Sequence, residues 1–257
     1  MYKVAIILRI LERWIRMENN DNYKSFNYIF NAIQETIAQR VGKSEITNFG
    51  KLLEIARNKN DKVILAYYDK LDFYRELRNL LTHKSISKDE VVALPSDTLL
   101  KQMEEVAQKI RYPKKVRDLF TKTVVSFNYY ESLKEVLIEV NKCGYSQFPV
   151  FKDGKIEGII SENGITNFLA KSIEEDIISI SETKIGNIIG MDEMKNSFQI
   201  IKESKSIFDI ETIFSKEIRK GNSNFLLLIA KNGEIKSPKD IKGIITPWDL
   251  PVLIENK

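Results

Sequence analysis

The second half of this sequence contains an internal repeat, and this repeat constrains the fold more than any other feature. The first copy has three short β-branched and aromatic runs, VVSF (124–127), FPVFK (148–152) and IEGIIS (156–161), and two helical stretches, about 131–142 and 163–172. The last two runs flank Asp153-Gly154, a pair that tolerates the positive φ angles of a tight turn. The copy is therefore predicted to fold as strand, helix, β-hairpin and helix.

The second copy repeats this order of elements. Its predicted strands and helix are SFQII (197–201), about 206–220, NFLLLIA (224–230) and KGIIT (242–246), with Asn232-Gly233 as a further turn. When GIISENGI (158–165) is aligned with GIITPWDL (243–250), the glycine, both isoleucines and the hydroxyl residue stay in register. Residues 234–241 form an insertion. Two copies of one small α/β unit are expected to bury each other's sheet faces.

The first 111 residues have a different periodicity. Apolar residues recur there at intervals of three and four, which is typical of amphipathic helices. The expected helices span 4–17, 23–41, 46–58, 62–83 and 97–111, with start signals at Ser44 and Ser96 and a stop signal at Pro113. The fold class predicted from the sequence is therefore multi-domain, with an N-terminal all-α helical bundle and a C-terminal α/β pair.

The composition argues against several kinds of site. The chain has one histidine, His83, and one cysteine, Cys143, so neither an internal disulfide nor a His and Cys metal cluster is expected. The longest uncharged apolar run near the N-terminus, VAIIL (4–8), ends at Arg9, so no signal peptide or membrane span is predicted. We expect a cytoplasmic protein without a metal and without a membrane partner.

The repeat resembles a known family. G-I-I-T-P-W-D at the end of the second copy, and hydrophobic-P-V-x-x-D-G in the first, are similar to a pair of CBS domains, also called a Bateman module. The resemblance covers residues 119–254, and both copies match in order and spacing. It implies a sensor of an adenosine-containing small molecule, either an adenine nucleotide or S-adenosylmethionine. It also implies a homodimer, because paired repeats of this family often dimerise.

Within this resemblance, Thr246 and Asp249 match the CBS nucleotide motif of Thr or Ser, two residues, then Asp. The carboxylate of Asp249 can accept hydrogen bonds from both ribose hydroxyls, and Thr246 with the helix N-terminus can contact phosphate. The same residues also fit a helix start without a ligand, with Thr as the N-cap, Pro at the first position and an acid at the third. Both interpretations remain open at the level of the sequence.

The first copy departs from the family pattern. Its equivalent stretch is Ser161-Glu162-Asn163-Gly164, in which Gly164 brings no carboxylate, so one ligand per chain is expected. Ser146 and Gln147, just before the first hairpin, and Phe225 in the second copy are predicted as further walls of the ligand site.

A second resemblance involves the only histidine. Arg78-Asn79, three residues and then His83, at the end of a predicted helix, are similar to the signature of the HEPN superfamily. The resemblance implies metal-independent RNA cleavage by two protomers whose Arg and His pairs face each other. Arg78 would stabilise phosphate charge, His83 would transfer a proton, and Asn79 shares a helix face with His83. The helix must loosen near Thr82, because residues five apart diverge by about 140° on a regular helix.

The competing interpretation is that Arg78 and His83 are ordinary cations at a helix C-terminus. The net charge of +4 lies within the first 112 residues, which suits RNA as a partner but is a small excess. The sequence therefore predicts an HEPN-like helical bundle at 1–111, a linker at 112–118, CBS repeat 1 at 119–180 and CBS repeat 2 at 181–257.

The predicted function is adenosine-ligand-regulated, metal-independent RNA cleavage. The first alternative is a non-catalytic nucleotide-sensing regulatory protein whose helical domain dimerises or binds a partner. A further alternative is that the CBS pair is purely structural.

Overall fold

The computed structural model describes the backbone of residues 2–83, 93–173 and 179–257, and the side chains of residues 21–82, 93–173 and 179–257. The chain divides into two compact units, Met1–Pro113 and Lys114–Lys257. The first is the helical unit and the second is the repeat unit. Among the helices of the described residues, none is long and apolar enough to cross a membrane.

The helical unit packs its helices around a core that several of them share. Its described helices are α1 (Tyr2–Val41), α2 (Phe49–Asn58), α3 (Lys62–Ala66), α4 (Tyr68–His83) and α5 (Asp97–Arg111). The core includes Ile33 and Ile37 of α1, Leu52 of α2, Leu71 of α4 and Met103 of α5, which are all fully buried. The prediction of a helical N-terminal region is confirmed, and α5 has the predicted bounds and the predicted cap at Ser96, whose hydroxyl accepts from the Leu99 N–H at 3.2 Å.

The two helices predicted at 4–17 and 23–41 form one continuous helix, α1. The polar stretch ENNDN (18–22) between them contains neither Pro nor Gly, so it lacks a residue that would end a helix. A tertiary contact also holds the end of this stretch, because the Asn22 amide donates to the Pro95 carbonyl at 3.1 Å and to Asp97 Oδ1 at 2.9 Å.

The opposite error occurs at 62–83, where the structure has two helices instead of one. Tyr67 leaves the helical conformation (φ −113°, ψ 12°) and separates α3 from α4. Asp61 caps α3 by accepting from the Val63 and Ile64 N–H groups at 3.0 and 3.1 Å. The helix expected from residue 46 begins at Phe49, with Asn48 rather than Ser44 as its cap.

The repeat unit contains two small three-stranded sheets with their helices. The described elements are α6 (Arg117–Phe120), β1 (Phe127–Asn128), α7 (Leu133–Cys143), β2 (Gln147–Lys152), β3 (Lys155–Ser161), α8 (Glu162–Lys171), α9 (Ile185–Ile189), β4 (Phe198–Lys202), α10 (Ile207–Arg219), β5 (Leu226–Ala230), β6 (Ile241–Ile245) and α11 (Leu250–Glu255). The predicted α/β region with two copies of one unit is thereby confirmed. The predicted strand VVSF is reduced to β1, and the short helices α6, α9 and α11 were not predicted.

The two sheets have the same topology. In each, the first strand pairs parallel with the second, and the second pairs antiparallel with the third. The register shifts at equivalent places, between Val150 and Phe151 in β2 and between Ile229 and Ala230 in β5. The repeats also share a core, in which Ile159 of β3 packs with Leu226 and Leu228 of β5. The two copies therefore bury sheet faces together, as the internal repeat predicts.

One of the two predicted turns is a tight hairpin turn, and the other lies in a longer loop. Asp153 and Gly154 both have positive φ (51° and 78°), and they connect β2 directly to β3 as predicted. Gly233 also has positive φ (79°), but residues 231–240 separate β5 from β6, so the second connection is a longer loop that contains the insertion.

Each repeat is completed by the chain segment that precedes the other one. The segment before β1 binds repeat 2, where Val116 and Arg117 donate to the carbonyls of Lys205 and Glu203 at 2.9 and 3.0 Å. The segment before β4 binds repeat 1, where the Ile185 N–H donates to the Glu131 carbonyl at 2.9 Å. Val116, placed in the predicted linker, is fully buried in this arrangement.

Candidate ligand-binding site

The turn after β6 positions the predicted nucleotide motif. Thr246 has extended backbone angles, and a 3₁₀ turn over Pro247–Asp249 leads into α11. Asp249 Oδ2 accepts from the Thr246 N–H at 2.7 Å and from the Thr246 hydroxyl at 3.0 Å, so the pair forms a capping box. Both bonds end on Oδ2, and Oδ1 accepts neither of them. The capping role therefore leaves a carboxylate oxygen that can contact a ligand.

This turn forms one wall of a cavity of about 230 Å³. Two other segments complete it: residues 122–125, which follow α6, and residues 144–148, which join α7 to β2. The third wall consists of Ile244 on β6 with Thr246, Trp248 and Asp249. Because 122–125 and 144–148 belong to repeat 1 and the third wall belongs to repeat 2, a ligand in this cavity would contact both repeats.

Backbone contacts fix the two segments of repeat 1. The Lys122 N–H donates to the Lys242 carbonyl at 2.9 Å, which ties residues 122–125 to β6. Gly144 ends α7 in the left-handed conformation (φ 67°), so the chain turns at once into β2. The Ser146 carbonyl then accepts from the Glu162 N–H at 3.0 Å. Backbone hydrogen bonds therefore hold both segments in place.

The cavity combines apolar walls with polar groups at a few positions. Val124, Val125 and Phe148 contribute apolar surface, and Tyr145 lies at its edge, half exposed. The Lys122 ammonium lies 5.6 Å from the centre of the Tyr145 ring. The arrangement offers stacking and apolar contact, a carboxylate and an ammonium, which is a composition typical of small-molecule sites.

At the equivalent position in repeat 1, a carboxylate of the protein itself occupies the space. Ser161 caps α8 as Thr246 caps its turn, but the carboxylate that it binds belongs to Asp192, which follows α9. Asp192 Oδ2 accepts from the Ser161 N–H at 2.6 Å, and the Ser161 hydroxyl donates to the same carboxylate at 3.0 Å. Asp192 Oδ1 accepts from the Met194 N–H at 2.8 Å. Both carboxylate oxygens are therefore engaged inside the protein.

The lack of a side chain at Gly164 makes room for the Asp192 carboxylate. A Cβ atom at Gly164 would overlap the Asp192 carboxylate, so the absent side chain provides the space that Asp192 fills. Ser161 and Asp192 are only 3% and 5% exposed, whereas Asp249 is half-buried at the cavity. The two repeats thus make the same hydrogen bonds with carboxylates from different places, one buried and one accessible.

Two repeats of this topology, each with a hydroxyl residue and a carboxylate after its third strand, invite comparison with known families. Residues 116–171 match the family model of the CBS domain. The matched CBS domain covers α6 to α8, which is repeat 1, and repeat 2 has the same strand topology. The chain matches no curated protein.

Three solved structures with CBS domains are similar to this chain. One is a hemolysin-like protein from Oenococcus oeni PSU (18% identity, 54% of this chain and 88% of that chain, TM-score 0.36). Another is a CBS domain pair in complex with 5-methylthioadenosine and S-adenosyl-L-methionine (18%, 56% and 97%, TM-score 0.39). The third is the CBS domain of a bacterial CNNM/CorC family Mg²⁺ transporter in complex with ATP (16%, 56% and 89%, TM-score 0.38).

The structure brings together four of the five residues predicted for the CBS ligand site. Thr246, Asp249, Ser146 and Gln147 all line the cavity. Phe225 is not among its lining residues. The Phe225 side chain is 6% exposed, and its ring centre lies 6.4 Å from that of Phe214 in the core of repeat 2.

The sequence did not predict Lys122 and Tyr145 at the cavity, or Asp192 at the equivalent position of repeat 1. Lys122 and Tyr145 lie outside the CBS motif, and only the fold brings them to the cavity. Asp192 follows an apolar run in NIIGMDEM, where no spacing rule connects it with Ser161. A search for an acid that could replace the missing one at Gly164 would have been the one available signal.

The predicted RNA site is described only in part. Arg78 and Asn79 lie in the last turns of α4, with Asn79 exposed and the Arg78 guanidinium carbon 5.7 Å from the centre of the Phe30 ring. The helix is regular through His83, and the Thr82 hydroxyl donates to the Arg78 carbonyl at 2.7 Å. The loosening expected near Thr82 is therefore wrong for the backbone of α4. The side chain of His83 lies outside the described residues.

Metal-ligating side chains do not cluster in the described parts of the chain, where no group of three or more His, Cys, Asp or Glu residues could hold an ion. The thiol of Cys143 donates to the Glu139 carbonyl at 2.9 Å, one turn earlier in α7. This contact holds the Cys143 side chain against its own helix.

Proposed function

We propose that this chain is a nucleotide-sensing regulatory protein that binds one adenosine-containing ligand in the cavity between its repeats. The observation that carries the proposal is the place of Asp249, which lines the cavity while its Oδ2 is held by Thr246 and its Oδ1 accepts neither of these bonds. A carboxylate fixed in this way is a preorganised acceptor for the two hydroxyls of a ribose.

The remaining walls support the same ligand class. A flat purine needs apolar surface on its faces, and Val124, Val125 and Phe148 supply such surface. The match of residues 116–171 to the CBS domain adds the expectation of an adenosine ligand that the sequence resemblance implies. A regulatory function follows from the position of the cavity, because a ligand that contacts both repeats stabilises the arrangement in which they meet.

The stoichiometry of one ligand per chain is supported by repeat 1. There the carboxylate of Asp192 makes the hydrogen bonds that Asp249 makes in repeat 2, and it uses both oxygens to do so. We therefore expect Ser161 to have a structural role only.

Titration calorimetry with adenosine, AMP, ATP and S-adenosylmethionine tests the proposal. At least one of them should bind with a stoichiometry of one per chain, and Asp249→Ala should weaken binding roughly a hundredfold, because about 2–3 kcal/mol of charge-assisted hydrogen bonding is lost.

The matched control is Asp240→Ala. Asp240 forms the same kind of capping box, with Ser237 N–H and hydroxyl contacts of 2.8 and 3.0 Å, but it does not line this cavity. Binding should survive in that variant. If none of the four ligands gives a heat of binding, the repeat unit has a purely structural role. If Asp249→Ala binds with unchanged affinity, the carboxylate of Asp249 does not contact the ribose.

A second candidate function is RNA cleavage by the helical unit. It is favoured by one observation, the place of Arg78 and Asn79 in the last turns of the helix that ends at His83. A homodimer would be needed to face two such pairs, because Arg78 and His83 diverge on one regular helix. The ligand would then regulate cleavage through linkage between the repeats and the dimer.

Incubation of the protein with single-stranded RNA in EDTA tests this function. Cleavage that disappears in His83→Ala and in Arg78→Lys would support it, since a lysine cannot form the planar fork of donors that contacts phosphate twice. Arg57→Lys is the matched control, because the Arg57 guanidinium also lies over an aromatic ring, that of Tyr68, at 4.4 Å. Without cleavage in the parent protein, the helical unit is a dimerisation or partner-binding domain.

A further inference from the structure

The charges at the cavity are few and lie on different segments of the chain. Among its lining residues, Lys122 is the one with a cationic side chain and Asp249 is the one with a carboxylate. Asp249 belongs to the turn after β6, whereas Lys122 follows α6. A ligand that contacts both must therefore offer hydrogen-bond donors to Asp249 and a negatively charged group to Lys122.

The position of Lys122 is fixed at the backbone. Its N–H donates to the Lys242 carbonyl, which holds the backbone of Lys122 beside β6. The Lys122 ammonium lies 5.6 Å from the centre of the Tyr145 ring. Among the ion pairs of the described residues, none involves Lys122. The neighbouring Lys242 ammonium donates instead to the Lys239 carbonyl at 2.9 Å. The Lys122 ammonium is thus the cation that is available to a ligand in the cavity.

This charge distinguishes between the adenosine ligands. With the ribose hydroxyls at Asp249, the 5′ substituent is the end of the ligand that differs between them. AMP and ATP carry phosphate there, and adenosine or methylthioadenosine carries no charge. S-adenosylmethionine carries a sulfonium cation and a methionine chain whose ammonium and carboxylate cancel, so its net charge is +1. An ammonium stabilises the phosphate, is indifferent to the uncharged ligands and repels the positive net charge of S-adenosylmethionine.

Building on the proposed function, we propose that the cavity selects a phosphate-bearing adenine nucleotide and that Lys122 is the residue that determines this selection. Asp249 then recognises the ribose, which all the candidate ligands share, and Lys122 recognises the phosphate, which only the nucleotides have. Tyr145 limits the positions that the long lysine side chain adopts, so less conformational entropy is lost when phosphate binds.

Calorimetry with AMP, adenosine and S-adenosylmethionine tests the selection. AMP should bind about tenfold or more tightly than adenosine, which corresponds to one charge-assisted hydrogen bond, and S-adenosylmethionine should bind more weakly than both. In Lys122→Met the ratio of the adenosine and AMP dissociation constants should fall to about one. Higher salt should reduce the advantage of AMP in the parent protein.

The matched control is Lys152→Met. The Lys152 ammonium also lies over a tyrosine ring, at 4.2 Å from the centre of Tyr129, but Lys152 does not line this cavity. It should retain the full preference for AMP. Equal affinities of AMP and adenosine in the parent protein, or a preference that survives Lys122→Met, would overturn the selection and leave the proposed ribose site intact. Failure of all three ligands to bind the parent protein would overturn both.

Discussion

Removal of the buried carboxylate of Asp192 should destabilise the repeat unit strongly. In Asp192→Ala, the N–H groups of Ser161 and Met194 lose acceptors that lie 2.6 and 2.8 Å away, and the Ser161 hydroxyl loses one at 3.0 Å. Asp192 is 5% exposed, so little water can replace the carboxylate. Each unsatisfied buried donor costs about 1–3 kcal/mol, and two backbone donors therefore give roughly 2–6 kcal/mol.

Part of this cost is offset, because the variant no longer buries a charge. We expect a net loss of about 3 kcal/mol in the free energy of unfolding. At about 2–4 °C per kcal/mol for a unit of this size, the melting temperature should fall by roughly 6–12 °C. Scanning calorimetry of the full chain measures the shift, and Asp192→Asn should lie between the parent and the alanine variant, since its amide keeps one acceptor oxygen.

Asp240→Ala provides the comparison that can refute this reasoning. Asp240 accepts from the N–H groups of Lys236 and Ser237 at 3.0 and 2.8 Å and from the Ser237 hydroxyl at 3.0 Å, so it has a similar set of bonds at a more exposed site. Water can replace these bonds, so its shift should be the smaller one. If Asp192→Ala shifts the melting temperature no more than Asp240→Ala does, burial does not set the cost.

Three further predictions concern other parts of the repeat unit. Gly243→Ala should cost roughly 1–3 kcal/mol in urea unfolding, because its Cβ would overlap the Phe120 carbonyl, whereas Gly190→Ala should be tolerated in open space. Hydrogen bonds from the backbone N–H and hydroxyl of the α7 cap serine lower the pKa of Glu135, so its stabilisation is present above the ordinary value of 4.5 and is lost as pH falls through the folded-state pKa. Glu135→Gln should therefore flatten the acid limb of stability against pH. Trp248 is 90% exposed at the cavity, so bound nucleotide should change its fluorescence, and Trp248→Phe should abolish that change.

The sequence predicted the parts of the fold that local chemistry determines. Asp153-Gly154 could only be a tight turn, and Ser96 with its following apolar periodicity could only begin a helix. The break at Tyr67, which is buried, was missed because tertiary packing leaves no mark in the periodicity. The continuity of α1 was missed for the same reason, since Asn22 is held by residues far along the chain.

The residues of the candidate ligand site could also be predicted only in part from the sequence. Thr246 and Asp249 could be proposed because the capping box and the nucleotide motif use the same spacing, and Ser146 and Gln147 could be proposed because they lie where β2 begins. Phe225 was expected at the ligand site, but its side chain is buried next to Phe214 in the core of repeat 2. The closure of repeat 1 by Asp192 depends on a contact between distant segments, which no local pattern reveals.

The reciprocal completion of the repeats has a consequence for the order of events during synthesis. The segment that carries Val116 and Arg117 leaves the ribosome before either repeat, yet its partners at Glu203 and Lys205 are made much later, and the Lys242 carbonyl that holds Lys122 lies on β6. Contacts between such distant parts of a chain form slowly, because a long loop must close first. Repeat 1 can gather its own strands early, but the cavity cannot exist until the last strand has been added. A chain truncated before β6 would therefore lack one wall of the cavity, so binding of the proposed ligand would require that translation has passed β6.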